Sequence, residues 1–261
     1  MQGGFYRYDL PSKANISVLS VNSILMNNKN DEQETQSVEA QLAWLESQLS
    51  NARGRKFLLH MHIPPGQWFQ VGLDTYWKDK YLESYLGVIA KYQDSVSMIL
   101  AAHAHPGEVR APKSTRYPDL DVTIMMTPSI SPLGLLQPGY SILDFPVQAG
   151  LYPSAVWRYL QLHDYIIYQW PSFSTLDIQQ SFNITLGNAP SIRAFQSSLK
   201  NDTDKYTHYL FAKMGYADWL IKIAQGLIVK AWAYSKVFDQ KSFVCGMENY
   251  ESEGYQACLA E

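Results

Sequence analysis

The chain has 261 residues, of which 46% are hydrophobic and 17% are charged, and its formal net charge is −3 at pH 7. This composition is sufficient for a buried core and excludes an intrinsically disordered chain. A charge so close to neutral also argues against a nucleic-acid partner and against binding to an anionic membrane surface.

The first part of the chain predicts strands that alternate with helices. Residues 16–23 (ISVLSVNS) indicate a buried strand, and the preceding GGFYRYDL is expected to pair with it. A helix is predicted over 37–51, because its apolar residues recur at spacings of four, three and four. Residues 56–66 (KFLLHMHIPPG) indicate a strand that leads into a Pro-Pro-Gly loop, and a second helix is predicted over 76–92.

The rest of the chain adds more strands and then a helical region. A loop is predicted over 106–119, and helical patterns dominate from about residue 190. This order of elements is typical of an α/β fold, with a partial domain over 1–170 and a helical C-terminal lobe over 171–261. Further strands are predicted over residues 95–105 (SVSMILAAHAH), 121–127, 139–145, 155–162 and 164–170.

Two of the predicted strands end in a pair of histidines, His60 with His62 and His103 with His105. Because strand side chains alternate between faces, the two members of each pair project to the same side, about 7 Å apart along the backbone. Neutral imidazole is the commonest zinc ligand in proteins, and such pairs can serve one metal ion or two neighbouring ones. The sequence therefore predicts a metal site at the edge of a sheet, of the kind that forms half of a two-metal phosphoesterase centre.

The histidines also have structural interpretations. His60 is the weakest metal candidate of the four, and packing or hydrogen bonding within the sheet explains it better than metal binding does. His163 and His208 have no second histidine at a suitable spacing, so we expect them to be structural or surface residues.

The chain has two cysteines, Cys245 and Cys258, which are close enough in sequence to form a disulfide worth about 3 kcal/mol. Three N-x-S/T glycosylation sequons begin at Asn15, Asn183 and Asn201. Together these features indicate an oxidising compartment, and we expect a secreted or lysosomal protein. The N-terminal residues do not resemble a signal peptide, so we expect that the native protein starts upstream. No run of about 18 apolar residues predicts a transmembrane helix.

The motif HIPPG (62–66) is followed about forty residues later by AHAH (102–105). This pair of motifs resembles the calcineurin-like metallophosphoesterases, and above all the acid sphingomyelinase group with its sphingomyelinase-like phosphodiesterases, which carry G-H-I-P-P-G and G-H-T-H. QLAWLESQL is similar to the Q-L-x-W-L helix of that group, and PSISP with PGY is similar to its A-P-S-x-S-P and N-P-G-F/Y stretch. LHDYIIY and the cysteine-bearing helical tail fit as well, so the resemblance extends from about residue 4 to the C-terminus.

The resemblance implies part of an αββα sandwich and a centre that holds two zinc ions. His62 and His103 would bind one zinc and His105 the other. The attacking species of the family is a water or hydroxide that bridges the metals, and the reaction is hydrolysis of a phosphodiester such as the choline-phosphate bond of sphingomyelin. An endopolyphosphatase-like activity is the second enzymatic interpretation, because that group shares G-H-x-P-P.

The chain departs from the family pattern in two ways. Met61 and Ala102 replace the glycines that precede the motif histidines, and residues 1–55 contain no D-x-H, G-D-x-x-D or G-N-H motif. We therefore expect no catalytic acid in this chain, at most one weakly bound metal, and no phosphodiesterase activity in isolation. The expected partners are a phosphodiester substrate such as a phospholipid and a separate N-terminal half-domain; the alternative is a non-catalytic remnant or binding module.

Overall fold

The computed structural model describes residues 3–11, 15–30, 35–68, 74–132, 136–146, 152–161, 172–216 and 239–261. Three predictions concern other residues and lie outside the described ranges. They are the strand over 164–170, the part of the helical C-terminal pattern that covers residues 217–238, and the location of His163.

The described strands are β1 (Tyr6–Asp9), β2 (Ile16–Ser20), β3 (Lys56–His60), β4 (Gln67–Trp68), β5 (Asp74–Thr75), β6 (Val96–Ala101), β7 (Glu108–Arg110), β8 (Ile124–Met126), β9 (Gly139–Asp144), β10 (Ser154–Gln161) and β11 (Ser172–Asp177). The described helices are α1 (Thr35–Ser50), α2 (Asp79–Tyr92), α3 (Ile178–Phe182), α4 (Ala189–Asn201), α5 (Thr203–Lys213), α6 (Gln240–Glu248) and α7 (Ser252–Ala260). Short 3₁₀ turns cover Ser23–Met26 and Gln93–Ser95.

A six-stranded sheet with the order β1-β2-β3-β6-β8-β7 forms the centre of the structure. The four inner strands are parallel, whereas β1 and β7 are antiparallel to their neighbours at the two edges. The inner strands are apolar runs rather than alternating ones, as expected for strands that are covered on both faces. Parallel strands place their carboxyl ends at one edge, and this arrangement brings the histidine-bearing ends of β3 and β6 together.

One face of this sheet packs against α1 and α2. The apolar residues of α1 that recur with a helical period are all buried. In α2, Tyr81 and Tyr85 are buried, whereas Val88 and Tyr92 of the same stripe are partly buried. They form one core with Leu19, Phe57, Leu59 and Ile99 of the sheet.

The other face of the sheet is covered by a three-stranded sheet, β11-β10-β9, together with C-terminal helices. Leu58 and Met98 of the large sheet share a core with Trp157 of β10, Phe195 of α4 and Tyr209 of α5. The predicted α/β class, with two sheets and a helical C-terminal region, is therefore confirmed.

Several predicted element boundaries are wrong. The strand predicted over 95–105 ends at Ala101, so His103 and His105 lie in the loop that follows β6 and not on the strand. The loop predicted over 106–119 contains β7, whose charged residues are buried and neutralised inside the protein, so the sequence gives little sign of a strand. The second helix begins at Asp79 and not at residue 76. Tyr76 is held in an extended segment instead, because its N–H donates to the Gly66 carbonyl at 2.9 Å and its carbonyl accepts from Asn28 N–H at 3.1 Å.

The C-terminal region is attached to the sheets by shared packing and by pairing. β11, for which the sequence analysis had no strand, pairs with β10 over Ser172–Asp177 and so carries the smaller sheet beyond residue 170. Helices α6 and α7 are joined by a disulfide between Cys245 and Cys258. Over the described ranges, no helix has both the length and the apolar content needed to cross a bilayer. The division into domains at residue 170 stays a prediction.

Candidate metal centre

His62 and His103 meet just beyond the carboxyl ends of β3 and β6. The backbone pairing of these strands continues past their last residues, with Met61 N–H donating to Leu100 O and Ala102 N–H donating to His62 O, both at 2.9 Å. This register places the residue after Met61 beside the residue after Ala102, so that both imidazoles occupy one corner of the sheet.

The two imidazoles are in direct contact. His62 Nε2 and His103 Nδ1 are 3.2 Å apart, and the ring centroids are 5.0 Å apart with an interplanar angle of 79°. Two nitrogens bound to one tetrahedral zinc at its usual bond length are separated by about 3.3 Å. The pair therefore fits two ligands of a single metal ion, and the same distance also suits one imidazole N–H donating to the other.

His105 lies in the same loop, two residues after His103, and is half-buried. Burial lowers the pKa of His103, and the nearby charges of His62, His105 and Lys29 lower it further. His103 is therefore neutral, the form that binds metal, down to a lower pH than a free histidine. Within the part of the chain that the structure describes, no group of three or more His, Cys, Asp or Glu side chains is arranged to hold a metal.

The loop that carries His103 and His105 has an unusual backbone. Both residues adopt positive φ angles, +68° and +73°, and Ala104 N–H donates to Ala102 O at 2.8 Å. Positive φ is costly for residues other than glycine and is found preferentially at functional sites. Ser129 N–H donates to His105 O at 2.8 Å, which anchors the end of this tight loop to the PSISP segment.

His60 is separate from this pair. Its Nδ1 lies 3.3 Å from the hydroxyl oxygen of Ser20 on β2, and the structure gives it no contact with His62 or His103. This arrangement fits the structural interpretation of His60 as a hydrogen-bonded residue of the sheet. His208 lies on α5.

Two hydrogen bonds of Ile63 hold the Pro-Pro-Gly loop in place. Ile63 N–H donates to the buried Ser23 hydroxyl at 2.7 Å, and the indole N–H of Trp77 donates to Ile63 O at 3.2 Å. Tyr76 packs its ring against His103 with the centroids 5.7 Å apart, in an edge-to-face arrangement. These contacts fix the backbone beside His62 and one side of the His103 ring.

Beneath this corner lies a buried ionic triad, Glu108 and Arg110 of β7 with Lys213 at the end of α5. One carboxylate oxygen of Glu108 accepts from Arg110 Nε and the other accepts from Lys213 Nζ, and all three side chains are almost fully buried. Arg110 also donates to Gln67 O at 3.1 Å. The triad joins the edge strand of the large sheet to a C-terminal helix, and the sequence analysis missed it.

The charged groups of the triad shift one another's pKa values. Burial acts to raise the pKa of Glu108, but the charges and hydrogen bonds of Arg110 and Lys213 outweigh it and lower that pKa below its ordinary value. Burial lowers the pKa of Lys213 to about 8; the Arg110 charge acts in the same direction, and the Glu108 carboxylate opposes both. Burial raises the pKa of Tyr76 to about 12, although the neighbouring Arg110 guanidinium acts in the opposite direction. Tyr76 therefore lies between the triad and His103.

The chain is similar to a curated protein of Dictyostelium discoideum, "Sphingomyelinase phosphodiesterase D", with 30% identity over 105 residues. The match covers 37% of this chain and 23% of that relative, so the chain corresponds to less than a quarter of its length. The resemblance predicted from the sequence is confirmed. No protein-family model matches the chain.

Solved structures with partial similarity include a dimetal phosphatase from Danio rerio, at 14% identity and a TM-score of 0.36 over 66% of this chain and 60% of that one. GAP50, described as the anchor in the inner membrane complex of Plasmodium, has 14% identity and a TM-score of 0.38 over 75% of this chain and 61% of that one. Both TM-scores are below 0.5, so neither structure supports a function for this chain.

Proposed function

We propose that this chain carries the histidine half of a two-metal centre in a phosphodiesterase of the acid sphingomyelinase type. The observation that carries the proposal is the 3.2 Å separation of His62 Nε2 and His103 Nδ1, at the corner where two parallel strands end. The similarity to a sphingomyelinase phosphodiesterase supports the same class of substrate, a phosphodiester such as a phospholipid.

In this proposal His62 and His103 bind one zinc ion, and His105 binds a second one in a complete centre. Zinc is the metal of choice because the donors are imidazole nitrogens. Bound metals would supply Lewis-acid activation of the phosphate and of the attacking water. The residues of this chain hold the donors in place: the Ser23 and Trp77 contacts fix the loop after His62, and burial keeps His103 neutral.

The same geometry explains why the chain is expected to be inactive on its own. Catalytic zinc sites have three protein ligands as a rule, whereas one ion would have two ligands here and the other would have one. The described residues add no carboxylate between the two positions, so two dications would repel each other without compensation. We therefore expect one weakly bound metal at most and no phosphodiester hydrolysis.

A hydrolysis assay tests this proposal. The purified chain, supplied with zinc, is incubated with bis(p-nitrophenyl) phosphate and, separately, with sphingomyelin vesicles. No turnover is expected for the chain alone, and turnover is expected once a polypeptide with D-x-H, G-D-x-x-D and G-N-H segments completes the centre. Turnover by the chain alone that survives His62→Ala would contradict the assignment.

Reading the genomic DNA upstream of the first codon separates the enzyme from the alternative of a non-catalytic remnant. An in-frame stretch that encodes the missing acidic motifs supports the enzyme, and a stop codon in a verified transcript supports the remnant. A complementing polypeptide with polyphosphatase activity and no phosphodiesterase activity would favour the endopolyphosphatase-like interpretation.

We also propose that the protein is secreted or lysosomal. The three sequon asparagines, Asn15, Asn183 and Asn201, are all exposed, as glycosylation requires, and the disulfide between Cys245 and Cys258 fits an oxidising compartment. Expression in a secretory host followed by glycosidase treatment would show a mass shift if these sites are used.

A further inference from the structure

Strand β1 lies at a free edge of the large sheet. It pairs with β2 on one side, and no strand of the described ranges pairs with its other side. All four residues of β1 are exposed, including Tyr6 at 46% and Tyr8 at 53%. Exposed edges of this kind pair readily with another strand, and natural proteins usually block them.

The backbone groups that this edge presents can be identified from the pairing with β2. Leu10 N–H donates to Ile16 O at 3.2 Å, so Leu10, Tyr8 and Tyr6 direct their backbone groups toward β2. Hydrogen bonding alternates along an antiparallel pair, so Arg7 and Asp9 direct their N–H and C=O groups outward. A strand that adds to this edge must therefore bond to Arg7 and Asp9.

A second copy of β1 can add about a two-fold axis in three registers that satisfy these groups. One register places Arg7 opposite Arg7 of the second copy, and another places Asp9 opposite Asp9 of the second copy. Like charges directly opposite each other destabilise a strand pair. The third register, centred on Tyr8, places Arg7 opposite Asp9 of the second copy and Asp9 opposite Arg7 of the second copy, so opposite charges face each other twice.

The register centred on Tyr8 also gives favourable side-chain pairs on the other face of β1. Tyr8 then lies opposite Tyr8 of the second copy, and Tyr6 lies opposite Leu10 of the second copy. These are the pairs without backbone hydrogen bonds, in which side chains approach most closely, and aromatic pairs across strands are favourable. One register therefore satisfies the backbone, the charges and the exposed tyrosines together.

We propose that two copies of this chain associate through β1, antiparallel and centred on Tyr8, to form one continuous sheet that runs through both copies. The contact is isologous, because each copy uses the same edge, and it therefore closes at a dimer. The proposal does not depend on the metal centre or on phosphodiesterase activity.

Charge reversal tests this dimer. In Arg7→Asp an aspartate faces Asp9 of the second copy, and in Asp9→Arg an arginine faces Arg7 of the second copy. We expect the wild type to sediment as a dimer at micromolar concentration and each single variant to dimerise at least about tenfold more weakly. An equimolar mixture of the two variants should form a heterodimer, because each like-charged contact becomes an opposite-charged one.

The mixture distinguishes pairing between copies from an effect within one chain. Arg7 and Asp9 also form a salt bridge within β1 at 2.7 Å, which is broken in both single variants and stays broken when they are mixed. Lys241→Asp, an exposed lysine on α6, is the matched control and should leave dimerisation unchanged. Circular dichroism of each variant checks that the fold is retained.

Two results would overturn the proposal. One is a wild-type chain that stays monomeric up to about 100 μM, far above the concentration at which a specific dimer should form. The other is a dimer that the single variants do not weaken or that the mixture does not restore, since the contact would then lie elsewhere, or the edge would be the site of another strand.

Discussion

Two neighbouring regions of the protein differ in the burial and the charge compensation of their ionisable side chains. The histidine corner, where His62 meets His103 and the loop with His105 follows, is exposed or half-buried, and the described residues contain no group of three or more His, Cys, Asp or Glu side chains arranged to hold a metal. The triad of Glu108, Arg110 and Lys213 is buried and satisfies its carboxylate with two cations. Only a few side chains, Tyr76 among them, separate the two.

From this difference we expect the triad to serve folding and the histidine corner to serve the proposed metal binding. The triad joins a sheet edge to a C-terminal helix, so its removal should cost stability. The histidine corner has a strained loop and incomplete ligands, so its replacement should cost metal binding and little stability. The following experiments measure stability for both regions and zinc affinity for the histidine corner.

The largest effect is expected for Glu108→Gln, which leaves the Arg110 and Lys213 charges buried without a counterion. Removing one partner of a buried ion pair costs about 3–5 kcal/mol. Urea denaturation should show this loss, whereas Glu39→Gln on the exposed face of α1 should change the free energy of unfolding by less than about 0.5 kcal/mol. A cost below about 1 kcal/mol for Glu108→Gln would remove the triad from its structural role.

Lowering the pH should reduce the difference in unfolding free energy between the wild type and Glu108→Gln. The pKa of Glu108 is lowered in the folded state, so its contribution to stability is present above the ordinary value of 4.5 and is lost as the pH falls through the folded pKa. Unfolding free energies measured from pH 7 to pH 3 should converge for the two proteins below pH 4.5. A constant gap across this range would show that the charge of Glu108 contributes nothing.

Tyr76→Phe removes the hydroxyl beside Arg110 and keeps the ring that packs against His103. Loss of this polar group inside the protein should lower the free energy of unfolding by about 1 kcal/mol. Zinc affinity should change by less than about threefold, because the ring contact with His103 is retained. A tenfold loss of zinc affinity would show that the triad and the metal corner are coupled through the hydroxyl.

The smallest effect is expected for His105→Gly, because glycine adopts positive φ without the steric cost that histidine has. Thermal unfolding should show that the free energy of unfolding rises by about 0.5–1 kcal/mol. Ala104→Gly in the same loop is the matched control: Ala104 is not among the residues with positive φ, so its replacement should be destabilising. A loss of stability in both variants would mean that the loop is not strained.

The sequence allowed the histidine corner to be predicted because its residues belong to short local patterns. The parallel order of β3 and β6 brings His62 next to His103. The predicted i, i+2 pairs do not form, because His60 bonds to Ser20 and β6 ends at Ala101, before His103 and His105. The sequence could not indicate the triad, because Glu108 and Lys213 are separated by 105 positions and no local period links them. Its charged residues also conceal β7, because the sequence pattern there predicts a loop.

The most direct test of the account is a calorimetric titration of the purified chain with zinc at neutral pH. The account predicts one site with a dissociation constant of about 1 μM or weaker, because the donor set is incomplete. His62→Ala should abolish this binding, and His208→Ala on α5 should leave it unchanged. Two tight sites, or binding that survives the loss of His62, would contradict the account.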